Sequence, residues 1–553
     1  MSRPKQECDL IMRGGITSGV VFPRAIVELG RRYRFRCIGG TSAGAIAAAF
    51  AAAAEHHGDE GFRRLGEIPE ELAGSLRTLF QPDRRHRKVF DRLVRWLETS
   101  PGFWRAALWL LFHLRAVKRS FRALPETGFG FCPGTTQGDP RVEGLTDWLN
   151  RRLEWVAGTL DAPDDPLPDT PLTFGALQGD GDGVTLRMIT TSVSQRRPYT
   201  LPIPDGFRIR RRDADALLPR NVVDWLWRGR DPGEDAPIPS GDEMPVILAV
   251  RMSLSFPLLF SAVCLQTRDF SRHRKGPAVR NEWMDCYFSD GGLSSNFPIH
   301  LFDGPIAMRP VFGISLEEFH DDRHEPDRDG PGDNRIYLPM GAGQGQTVHL
   351  HETSGLGSFL GGLLDAARNW QDSMLAQLPG YRERVVRIAL KSEEGGLNLE
   401  MKTATIRDLT RLGELAARRL AGTSAVAGQN FDFEEHRYRR LLSATSAFNE
   451  SLVTIAAGFE KDPEVDGTES LGAFLASYLQ DFATPPVASY RPPRREDLES
   501  LARCWGILFR CAKEWTDEHL QLEESWNFPS PTPSLRFFPK EFVSPRAGGG
   551  DGG

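Results

Sequence analysis

Three short stretches bounded by glycine hold the residues best suited to chemistry. Gly40-Thr41-Ser42-Ala43-Gly44 fits G-x-S-x-G, the sharp strand-to-helix turn that lifts a serine hydroxyl clear of a sheet. Glycines at both ends leave no side chain to collide in so tight a bend. A serine there stands at the positive end of the helix that follows, which favours a developing anion. Asp290-Gly291-Gly292 closes an alternating run over residues 283–289, so a tight turn presents a carboxylate at a strand end. Arg13-Gly14-Gly15-Ile16-Thr17-Ser18-Gly19 follows a short apolar strand at residues 9–12. A glycine turn between strand and helix exposes successive backbone N–H groups, a nest for an anion. A nucleotide-phosphate loop is another reading of this turn, without G-x-G-x-x-G spacing or a following G-K-[ST] to support it, and a plain structural turn is a third.

A serine hydroxyl is a poor nucleophile until a base takes its proton. One candidate base is a histidine in a Ser-Asp-His order, for which His300, His320, His324, His349 and His351 all follow Asp290. His349-x-His351-Glu352 is better explained by alternate strand positions or a loop than by a metal site. No metal and no cofactor is expected.

These stretches need a frame. The apolar run at residues 35–38 reads as a strand and the alanine-rich run at 45–54 as a buried helix. Residues 184–193 and 283–289 read as further strands, and residues 245–256 as a helix that stops before Pro257. A strand at 384–390, a helix at 403–420 and a mostly helical stretch to about residue 522 complete the outline. Residues 59–182 read as an insertion. Its 77–122 stretch is strongly basic, with Phe80, Phe90, Trp96, Phe103, Trp104, Trp109 and Phe112 among the arginines. Such helices suit an anionic membrane surface, and equally suit a pair of helices packing apolar faces on the core.

The net charge of −6 argues against a general nucleic-acid binder. Seven cysteines without C-x-x-C spacing read as free thiols in a reducing compartment. No apolar signal core precedes the first strand, and no apolar run reaches the ~18 residues of a spanning helix. Those features lead to the expectation of a cytoplasmic protein, peripheral at the inner membrane surface.

The three stretches, in this order, resemble the patatin-like phospholipases. A fourth block, Arg251-Met252-Ser253-Leu254-Ser255-Phe256-Pro257, strengthens the resemblance, as does Leu293-Ser294-Ser295-Asn296-Phe297-Pro298 after the D-G-G triplet. The resemblance implies an α/β three-layer sandwich with a mainly parallel central sheet, a helical insertion and a helical C-terminal region. Its parts would be residues 1–58 and 183–400 (core), 59–182 (insertion, a candidate lid or membrane surface), 401–540 (helical extension) and 541–553 (flexible tail). It also implies that Ser42 and Asp290 form a catalytic dyad and that Gly14, Gly15 and Ile16 supply oxyanion donors. Gly40, Gly44, Gly291 and Gly292 would shape the elbow and the turn. The family's loop runs G-G-G-x-[RK]-G, whereas Ile16 and Ser18 stand here at the third glycine and the basic position. Arg13 is the candidate replacement charge, a head-group contact. The activity implied is lipase or phospholipase A type hydrolysis of acyl esters in membrane lipids, at an anionic surface. A signal-gated membrane-degrading effector and a non-enzymatic interaction protein on the same scaffold are the alternatives.

Overall fold

Strand β1 (Gln6–Met12) is apolar on both faces over its second half. Leu10 and Met12 enter one buried cluster and Ile11 enters another on the opposite side. A strand covered on both faces belongs at the centre of a parallel sheet flanked by other layers. The computed structural model describes residues 6–15, 18–72, 76–92, 122–138, 141–179, 181–268, 283–304, 306–319, 335–339, 378–391, 394–395, 398–399, 401–425, 430–459, 470–483 and 494–523, with isolated positions between 353 and 366.

β1 pairs in parallel with β2 (Tyr33–Thr41) on one side and with β11 (Val311–Glu318) on the other. Beyond β11 lies β13 (Val385–Leu390), also parallel, then β12 (Ile336–Tyr337), antiparallel. Beyond β2 lies β4 (Thr185–Ser192), parallel to it and hairpinned to β5 (Arg197–Leu201). Next come β10 (Trp283–Asp290), β9 (Val263–Arg268), β6 (Phe207–Ile209) and β7 (Ala236–Pro237), all joined antiparallel. The parallel part expected from sequence is thus the sheet's centre, and an antiparallel wing extends it. A separate parallel pair joins β3 (Gly130–Cys132) to β8 (Leu258–Phe260).

Helix α1 (Phe22–Gly30) presents Phe22, Ala25, Ile26 and Leu29 to the larger core cluster. Helix α2 (Ala43–His57) is buried nearly all round, as its alanine composition requires, and packs on β2 and β4. The other face of the central strands is covered by Phe297, Ile299 and the partly buried Phe302 and Tyr381.

Of residues 59–182, the described parts are woven into this core. Helices α3 (Asp59–Leu72) and α4 (Leu145–Ala157) pack on α2, and Phe80 and Phe90 are buried. Trp96, Phe103, Trp104, Trp109 and Phe112, on which a basic, aromatic membrane face rested, lie outside the described residues. Helix α5 (Val246–Ser253) stops one turn earlier than Pro257 requires, because the chain turns at Leu254 into β8.

Two compact units emerge, one comprising residues 1–377, 381–433 and 539–553, the other 378–380 and 434–538. Helix α6 (Thr403–Leu420) lies in the first, packed on α1, so the core continues past the boundary expected at residue 401. Within the second, from residue 434 on, lie α7 (Phe433–Phe459), α8 (Leu471–Gln480) and α9 (Arg495–Glu523), and a small cluster joins Leu475 and Tyr478 of α8 to Leu498 of α9. Among the described residues, no helix is long and apolar enough to cross a membrane.

Candidate active site

Strand β4 brings the two ends of the site together. One edge carries β5 along Met188–Ser192. The other edge is shared: β2 occupies it up to Thr41, opposite Ile189, and β10 occupies the rest, with Asp290 opposite Thr190. The two strands therefore meet end to end on successive rungs, about 3.3 Å apart along β4. The residue after Thr41 and the last residue of β10 have to meet.

Ser42 follows β2 and caps α2, with φ 58° and ψ −125°. A left-handed φ at a residue with a side chain costs about 1–3 kcal/mol, so the surroundings must impose it. A Cβ on Gly40 would lie 2.1 Å from the Gly44 carbonyl oxygen, and one on Gly44 would lie 2.2 Å from the Met12 oxygen. Both clashes are with backbone, so both positions of the pentapeptide demand glycine. The Ser42 N–H donates to Ser253 Oγ (3.0 Å), whose own hydroxyl donates to the Ile189 carbonyl (2.6 Å). The elbow is thereby tied to both α5 and β4.

The Ser42 hydroxyl donates to Asp290 Oδ2 at 2.6 Å, and both side chains are buried, at 4% and 2% exposure. The other carboxylate oxygen, Oδ1, accepts the Gly292 N–H (2.7 Å). Asp290 N–H donates to the Ser255 carbonyl (2.9 Å), and its own carbonyl accepts from the Thr191 hydroxyl (2.9 Å). Gly291 is obligatory: a Cβ there would stand 1.9 Å from the Ile189 oxygen. With its backbone held on both sides and Oδ1 anchored, the carboxylate presents Oδ2 to the serine. No imidazole stands between them. His300 is exposed on a 3-10 turn, and His320, His324, His349 and His351 lie outside the described residues.

The glycine turn lies against this pair. Gly14 N–H donates to the Asn296 carbonyl (3.1 Å), which removes it from the set of free donors. Its Cα faces the serine, since an added Cβ would approach Ser42 Cβ to 3.1 Å and the Thr41 oxygen to 2.9 Å. Gly14 is thus a close-approach glycine. The N–H groups of Gly15 and of Ala43, the first residue of α2, have no acceptor among the described residues. Ile16 lies outside those residues. Arg13 Nη1 donates to Ser315 Oγ (3.2 Å) and to the Leu316 carbonyl (3.1 Å), binding the turn to the end of β11.

Sequence reasoning assigned no role to Ser253, Ser255, Arg251 or Asn296. Arg251 is fully buried with no carboxylate partner among the described residues, and burial pulls its guanidinium down to about 10. It donates to Ser255 Oγ (2.7 Å) and to the carbonyls of Ser261 (2.7 Å) and Pro133 (3.0 Å). It therefore fixes the turn whose Ser255 carbonyl receives Asp290. The available signal was polar residues at regular intervals in an otherwise apolar run ended by proline.

Comparison with known proteins identifies the family of the chain. The profile of the family described as Patatin-like phospholipase matches residues 10–303. A protein of Rhizobium meliloti (strain 1021) named RpoH suppressor is 31% identical, over 97% of this chain and 99% of its own length. Two solved structures match at low similarity. VipD from Legionella pneumophila has 13% identity and a TM-score of 0.31, over 92% of this chain and 86% of its own. Full-length ExoU in complex with SpcU, from the type III secretion system of Pseudomonas aeruginosa, has 15% identity and a TM-score of 0.26, over 95% and 70% respectively. A profile covering more than half of the sequence, and a relative that matches from end to end, make this chain a member of the patatin-like phospholipase family.

Proposed function

We propose that this chain is a serine acyl hydrolase of lipase or phospholipase A type, cleaving acyl esters of membrane lipids through Ser42 and Asp290. Family membership supports lipid acyl hydrolysis in general. The observation that carries the residue assignment is the 2.6 Å hydrogen bond from Ser42 Oγ to Asp290 Oδ2. In this reading Asp290 takes the hydroxyl proton while Oγ bonds to the ester carbonyl carbon. The oxyanion so formed lies toward the Gly15 and Ala43 N–H groups, with the α2 dipole behind the latter. The carbon–oxygen bond to the leaving group then breaks, and the departing alkoxide takes the proton from Asp290. Water repeats the sequence on the acyl-serine, with Asp290 again the base, releasing the fatty acid and restoring the hydroxyl. A head-group contact by Arg13 belongs to the proposal only if that side chain leaves Ser315 and Leu316. Contact with an anionic membrane surface rests on the composition of residues 77–122 alone.

The test is mass spectrometry of a mixed lipid extract incubated with the wild-type chain, Ser42→Ala or Asp290→Asn. The expected result is free fatty acid and a lyso-lipid from wild type, with both variants slowed by about 10⁴-fold. An Asp290→Asn chain that keeps near wild-type rates rejects the dyad. Folded wild-type protein that yields no acyl product favours the interaction-protein reading.

A further inference from the structure

Asn296 occupies a position that its packing alone does not explain. Its backbone carbonyl accepts the Gly14 N–H, so it joins the turn after Asp290 to the glycine turn after β1. Its side chain is 4% exposed, yet Oδ1 is buried with no hydrogen-bond partner among the described residues. The Nδ2 end makes no hydrogen bond to them either. Leaving a buried amide oxygen unsatisfied is costly, and a purely structural residue has no reason to carry that cost. The location is informative. Oδ1 and Ser42 Cβ lie 2.5 Å and 3.1 Å from one point, the place a Cβ of Gly14 would fill. An uncommitted carboxamide therefore sits beside the serine, on the side where Gly14 has given up its own N–H.

We infer that Asn296 is a catalytic residue whose side-chain amide donates a hydrogen bond to the oxyanion formed on attack by Ser42. A carboxamide is nearly symmetric in shape, and a half-turn about its last bond exchanges N–H₂ for oxygen without changing the space filled. Bound to the oxyanion through Nδ2, it replaces the donor that Gly14 cannot offer. This inference rests on Ser42 being the nucleophile, and the test separates the two.

The probe is a fluorophosphonate, which phosphonylates an activated serine through a tetrahedral anion-like state. Labelling rates and Tm are compared for wild type, Asn296→Ala, Asn296→Asp and Ser42→Ala. Expected are rapid labelling of wild type, none of Ser42→Ala, and a fall of about 10²–10³ in Asn296→Ala at unchanged Tm. Asn296→Asp keeps the shape but sets a carboxylate against the anion, so it should label more slowly than Asn296→Ala. A packing role predicts the reverse order, with the near-isosteric variant milder and Tm falling alongside the rate in both. That reverse order, a parallel loss of Tm, or wild-type rates in both variants overturns the role of Asn296. Failure of folded wild type to label at Ser42 overturns the nucleophile assignment and the inference with it.

Discussion

At the scale of single residues, the site depends on groups that never meet a substrate. Ser253 is fully buried, accepts the Ser42 N–H and donates to the Ile189 carbonyl. Replacing it with alanine leaves a buried N–H and a buried carbonyl without partners beside a residue already held at φ 58°. Leaving one such group unpaired costs about 1–3 kcal/mol. The Ser253→Ala chain, with two such groups, should therefore lose at least that much stability in urea denaturation and show a lower kcat for a soluble ester at little changed KM. Its Ser42–Asp290 pair is intact, so activity should fall by far less than in Asp290→Asn. Equal losses in the two variants would mean that the elbow has no support other than Ser253.

At the scale of elements, glycine acts oppositely in two neighbouring helices. On α2, a Cβ at Gly44 meets the Met12 oxygen at 2.2 Å and the Arg13 oxygen at 2.8 Å, both backbone atoms. On α3, a Cβ at Gly66 meets only Val27 Cγ2, at 3.9 Å. Gly44→Ala should destabilise by about 3 kcal/mol or more, since no side chain can yield to it. Gly66→Ala should stabilise by about 0.5–1 kcal/mol through helix propensity alone. Paired chemical denaturation curves check both signs. The same contrast explains what could be read in advance. The elbow was legible because its glycines and serine are fixed by local geometry, and β1, β2, β4 and β10 because their apolar runs are short and bounded. The antiparallel wing was not, because strands as short as β6 and β7 are made by pairing partners distant in sequence. Asn296 was visible as part of a resemblance, but its relation to Gly14 arises only when two turns nearly three hundred residues apart are brought together.

At the scale of the whole molecule, pH acts through buried imidazole more directly than through the net charge of −6. His86 is completely buried, with Nδ1 unpartnered among the described residues and Nε2 3.2 Å from the Thr127 hydroxyl. Desolvation lowers its pKa below the ordinary 6.5, with Arg85 acting in the same direction and Asp83 against it. A base whose folded pKa is depressed takes up its proton more readily in the unfolded chain. Its contribution to stability is therefore complete above about 6.5 and is lost as pH falls from there through the lower folded value. His57 is shifted the same way, again chiefly by desolvation. Asp147 and Glu154 oppose them: burial raises both carboxyls, so protonating them favours folding as pH falls through their raised folded values toward the ordinary 3.8 and 4.5. Tm should accordingly fall between pH 7.5 and 5.5. In His86→Leu the Thr127 hydroxyl keeps the carbonyls of Leu124 and Gly130 as acceptors, so no polar group is orphaned. That variant should show a smaller fall over the same interval, measured by thermal denaturation at the two pH values. An identical fall in both chains would move the acid sensitivity away from residue 86, to His57 or to charges on the surface.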